Sequence, residues 1–66
     1  MRINYPAEFR LEVSRLETEF LQSPEGKGWL LPSASQQDGS MMFADYPTEE
    51  FVTFLEVRGV PVVRIL

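Results

Sequence analysis

The chain has 66 residues, ten acidic and six basic, and it contains neither histidine nor cysteine. Those two absences remove the neutral-pH general base, the favoured transition-metal ligand, the thiol nucleophile and the disulfide staple. A formal net charge of −4 disfavours a nucleic-acid or anionic-membrane partner, because both call for a basic surface.

This length admits a single domain over 1–66 with one core. Its hydrophobic content of 44% and aromatic content of 12% are those of a chain that folds. A core this small leaves only about 3–5 kcal/mol of net stability, commonly supplemented by disulfides, metals or association. With the first two disfavoured by composition, a dimer or a larger protein partner is the expected support. No apolar run approaches the ~20 residues of a membrane span. The start Met1-Arg2-Ile3-Asn4-Tyr5-Pro6 lacks the apolar stretch of a secretory signal, so the expected location is cytoplasmic.

Along the chain, 2–4 reads as a short first strand. Asn4-Tyr5-Pro6-Ala7-Glu8-Phe9 is then echoed by Asp45-Tyr46-Pro47-Thr48-Glu49-Glu50-Phe51. Each copy offers an Asx oxygen as a helix cap, a proline suited to a first turn and a glutamate suited to the positive helix end. Thr48 competes as the second cap. Phe9, Val13, Leu16 and Phe20 recur at helical spacing on one narrow face. Phe9, Leu11 and Val13 also alternate as a strand would, but the longer run favours a helix, which Pro24 ends by about Ser23.

Pro24-Glu25-Gly26-Lys27-Gly28 is a turn cluster, followed by Trp29-Leu30-Leu31 as a short strand that Pro32 ends. Residues 33–40 read as a polar loop, with Asp38-Gly39 able to make a tight turn at a long or mobile hairpin tip. Met41-Met42-Phe43-Ala44 is the returning strand. A second helix is expected over 47–58, burying Phe51, Phe54 and Leu55, with Gly59 as a left-handed C-cap. The β-branched run over 60–66 closes the chain, with Pro61 at its start or at an edge position and both faces buried except where Arg64 emerges.

The resulting order, β-α-β-β-α-β, defines an α+β class of ferredoxin-like type, a four-stranded antiparallel sheet with both helices on one face. If the short first strand fails, the fallback is α-β-β-α-β with a three-stranded sheet.

Gly26-Lys27-Gly28 lacks the spacing of a phosphate loop and precedes a strand, so it reads as a turn. Asp38, Asp45, Glu49 and Glu50 could supply oxygen ligands, yet no calcium-loop pattern is present and the paired glutamates suit a first helical turn. No catalytic residue, cofactor or metal is assigned, and the chain is read as a non-enzyme. Architectures of this order include RNA-binding domains, but their basic, glycine-punctuated aromatic strand has no counterpart in Met41-Met42-Phe43-Ala44.

Trp29 and the pair Met41-Met42 remain. Alternation sends the two methionines to opposite faces, leaving one on the sheet face away from the helices. Exposed methionine and tryptophan are common interface residues. The expected function is therefore an acidic protein-binding module, acting as a regulatory, accessory or inhibitory factor, mobile-element-encoded factors included. Trp29, Met41 and Met42 would form its contact and Asp38, Asp45 and Glu49 would steer the encounter. Its partner is a protein, itself or another, with no nucleic acid or membrane. The alternative is a metal- or carboxylate-dependent enzyme subunit completed by oligomerisation.

Overall fold

A computed structural model of the protein describes residues 1–28 and 35–65. Its regular elements are β1 (Arg2–Pro6), α1 (Arg10–Leu21), β2 (Gln36–Asp38), β3 (Met41–Asp45), α2 (Glu49–Val57) and β4 (Val63–Ile65). Short 3₁₀ turns at Ala7–Phe9 and Pro24–Gly26 lead into and out of α1.

The first strand is longer than the sequence suggested. Ile3 and Tyr5 are buried while their neighbours are not, the period-2 signature of a strand with one core face. Asn4 is thus in mid-strand and caps nothing, and Pro6 ends the strand with φ −60° and ψ 136°. In the echoed segment Asp45 likewise closes β3, and Thr48 occupies the N-cap of α2 without a side-chain capping bond. What the two copies share is a strand end that buries its tyrosine, Tyr5 or Tyr46, just before a helix.

Helical periodicity decides the first helix: Val13, Leu16 and Phe20 are buried, whereas Leu11, the alternate of a strand reading, is 77% exposed. Ser23 closes this helix. Its amide and hydroxyl both donate to the Phe20 carbonyl, at 3.0 and 2.6 Å, and its Oγ accepts from the Gly26 amide. Gly26 lies so near the end of α1 that an added Cβ would stand 1.9 Å from the Phe20 carbonyl oxygen. In α2 the buried residues are Phe51, Val52 and Leu55. Gly59, at φ +89°, donates to the Glu56 carbonyl, while the buried Val60 donates to that of Leu55. This paired closure with an apolar contact is a Schellman motif.

The sheet has four strands in the order β2-β3-β1-β4, every pair antiparallel, so the three-stranded fallback is overturned. The second strand is Gln36–Asp38, where a loop was expected. All three of its residues are exposed, so it carries no apolar alternation and is held by its main-chain pairing to β3. The hairpin tip is tight, not long: Asp38 pairs Met41 across Gly39 and Ser40. Gly39 supplies the positive φ, +63°, that a two-residue turn of the II′ kind needs at its first position. Trp29-Leu30-Leu31, expected as the strand, lies outside the described residues. The last strand is an edge strand, and the expected burial of both its faces fails: Val63 is 58% exposed. Leu66 is also outside the described residues.

Ile3, Tyr5, Met42 and Ala44 from the sheet meet Val13, Leu16, Phe20, Phe51, Val52 and Leu55 from the helices in one core. Both helices therefore pack on the same sheet face.

Candidate functional site

Residues paired across an antiparallel ladder share a face, so the register defines the surface opposite the helices. Three rows cross it. The first runs Asp38, Met41, Pro6; the second Gln36, Phe43, Asn4, Val63; the third Asp45, Arg2, Ile65. Met41, Phe43 and Ile65 are half-buried and Val63 is exposed, giving an apolar band across three strands. In the middle of it the Asn4 Oδ1 is buried without a hydrogen-bond partner among the described residues. A buried acceptor left unmade costs about 1–3 kcal/mol, which a donor from outside would recover. At one end of the band, Pro6, Ala7, Glu8, Ser40 and Met41 line a hollow of about 340 Å³.

The charges at the other end neutralise each other. Arg2 donates to both carboxylate oxygens of Asp45, at 3.3 and 3.2 Å. Those hydrogen bonds hold the Asp45 carboxyl below its ordinary range. Asp38, on the outer strand, forms no ion pair among the described residues.

The sequence-derived contact residues are divided by this geometry. Met41, Asp38 and Asp45 share the open face. Met42 does not: at 5% exposure it belongs to the core, because its position pairs with inward-facing Tyr5. Glu49 stands on the other side of the sheet, in the first turn of α2, where it accepts from Arg64 Nε at 2.7 Å. Glu56 accepts from the same guanidinium at 2.9 and 3.1 Å. These bonds push Arg64 above and hold Glu56 below their ordinary pKa ranges, and they tie the edge strand β4 to α2. Trp29 lies outside the described residues. Sequence reasoning missed Phe43, Asn4, Val63 and Ile65. The available signal was parity: once Ile3 and Tyr5 are taken as inward, Asn4 and its ladder partners must face out.

Under the helices, Tyr5, Tyr46 and Glu17 form the other titratable cluster. Burial, then the Glu17 charge, raises both phenol pKa values, and burial raises that of the Glu17 carboxyl. Such shifts keep the hydroxyls protonated, so they serve as packing and hydrogen-bonding groups. Among the described residues no group of three or more acidic side chains is placed to hold a metal ion. No helix among them is long and apolar enough to cross a membrane. Compared with protein-family models, with curated proteins and with solved structures, the chain matches none of them.

Proposed function

We propose that the chain is a ferredoxin-like, non-catalytic protein-binding module that works through its open sheet face. The element order, the strand order β2-β3-β1-β4 and the common side of both helices support that fold assignment. The observation that carries the function is the apolar band of Met41, Phe43, Val63 and Ile65 around the Asn4 carbonyl, which has no hydrogen-bond partner among the described residues. An apolar centre with one specific polar group and a charged rim is the anatomy of a protein interface. Action in the cytoplasm as a regulatory, accessory or inhibitory factor belongs to the same proposal.

The first partner in this reading is a second copy of the chain. Pairing of Arg2 with Asp45 leaves Asp38 as the one uncompensated charge in the three rows, so two such faces approach with little repulsion. A two-fold contact would then set each apolar band against the other. It would also supply the support that a small core without disulfides lacks. Sedimentation equilibrium from low to high micromolar concentration tests this. The wild type should dimerise, while Met41→Glu and Val63→Glu should be monomeric with unchanged circular dichroism. A monomer throughout, or a dimer indifferent to both variants, refutes self-association through this face.

A further inference from the structure

A second surface lies on the helical layer, away from the sheet face. Between the C-terminal end of α1 and the outer side of α2 runs a groove of about 370 Å³. Its apolar lining comes from Phe20, Phe54 and Val57. Val57 is 76% exposed, although α2 otherwise directs its apolar residues inward. Arg58 forms one wall: its guanidinium lies 3.4 Å from the Phe54 ring centroid and donates to the Phe54 carbonyl at 3.2 Å. A cation in that position both stacks on the ring and keeps the wall fixed.

The charge around this groove is unbalanced. Three carboxylates, Glu19, Glu25 and Glu50, line it, against Arg58 as the one cation in the lining among the described residues. Arg58 is 4.0 Å from Glu19, and Glu19 also accepts from Arg15 at 3.2 Å. Glu25 and Glu50 have no ion-pair partner among the described residues. An apolar floor under two uncompensated carboxylates complements a side-chain set that is apolar on one side and cationic on the other. It discriminates against acidic segments by like-charge repulsion. We infer that this groove docks a basic, apolar segment of a partner protein: a short run in which leucine-like side chains enter beside Phe54 and Val57 while lysine or arginine meets Glu25 and Glu50. Such an interaction uses a different surface from the sheet face, so both can be engaged together.

The probe is a short fluorescent peptide of leucine and lysine, titrated into the wild-type protein and followed by polarisation and by amide chemical shifts. Two control peptides carry glutamate for every lysine or serine for every leucine. The leucine-lysine peptide should bind, more weakly as salt rises, with shifts centred on Ser23, Glu25, Thr53, Val57 and Arg58. Neither control should bind comparably. The doubly charge-reversed variant Glu25→Lys/Glu50→Lys should bind about tenfold more weakly or worse, and Val57→Ser should also weaken binding. Both variants alter exposed positions, and circular dichroism verifies their fold. Met41→Glu, on the sheet face, should bind normally, which separates this result from the dimer test. The inference is overturned if the leucine-lysine peptide fails to bind, if either control binds equally well, or if charge reversal changes nothing. Shifts centred on Met41, Phe43 and Val63 would also overturn it. So would a wild-type dimer that dissociates in the charge-reversed variant, since the occupant would then be a second copy.

Discussion

Phe51 is the residue whose truncation should cost this fold most. It is fully buried at the start of α2 and, among the described residues, packs against the rings of Tyr46 at 4.7 Å between centroids, Phe20 edge-on at 5.2 Å and Phe54 at 6.1 Å. Phe51→Ala removes the transfer free energy of the ring and leaves a void that sheet and helices cannot both collapse into, about 3–5 kcal/mol together. The close aromatic pairs add about 0.5–1.5 kcal/mol each beyond burial, which favours the upper half of that range. A small single core holds about 3–5 kcal/mol in total, so the alanine variant should be largely unfolded at 25 °C. Phe51→Leu keeps most of the volume and should cost about 1–2 kcal/mol, leaving a measurable transition. Urea denaturation followed by circular dichroism, with Phe54→Ala as the half-buried comparison, reads all three. A Phe51→Ala variant no more destabilised than Phe54→Ala, or a Phe51→Leu variant with the wild-type midpoint, would contradict a central place for Phe51 in the core.

Two glycine substitutions should separate steric from conformational constraint. Gly26→Ala forces a methyl group against the Phe20 carbonyl and should displace the 3₁₀ turn, whereas Gly59→Ala meets no atom and suffers only its positive φ, about 1–2 kcal/mol. Denaturant midpoints should therefore fall further for Gly26→Ala, and the reverse order would contradict the packing described for the end of α1. Glu17 gives a pH test. Burial raises the pKa of its carboxyl, so the folded state bears a cost above that raised pKa, and the cost vanishes at acid pH where the group is protonated folded and unfolded. Glu17→Gln should thus raise the melting temperature at neutral pH, and the gain should disappear as pH falls through the ordinary carboxylate range. A gain that persists or grows in acid would show that Glu17 is not the source.

The sequence carried what local chemistry can carry. The helical stripe of Val13, Leu16 and Phe20, the buried Phe51 and Leu55, and Gly59 after α2 are set by periods of a few residues and by one backbone angle, so they are legible without a partner element. From them follow the two helices of the α+β class. Tertiary structure decided everything that depends on pairing. Asn4-Tyr5-Pro6 has the composition of a helix start, yet flanking strands on both sides make it part of β1. Gln36–Asp38 has no strand signal of its own, and only the ladder offered by β3 makes it one. The choice between Met41 and Met42 turned on register, since a shift of one residue exchanges the two faces of a strand. Glu49, read as a free steering charge, is engaged by an arginine fifteen positions along the chain. The groove beside Phe54 exists only because two helices distant in sequence lie together on one sheet face. Capping and periodicity act over single turns, whereas sidedness, pairing and grooves arise from contacts between distant segments.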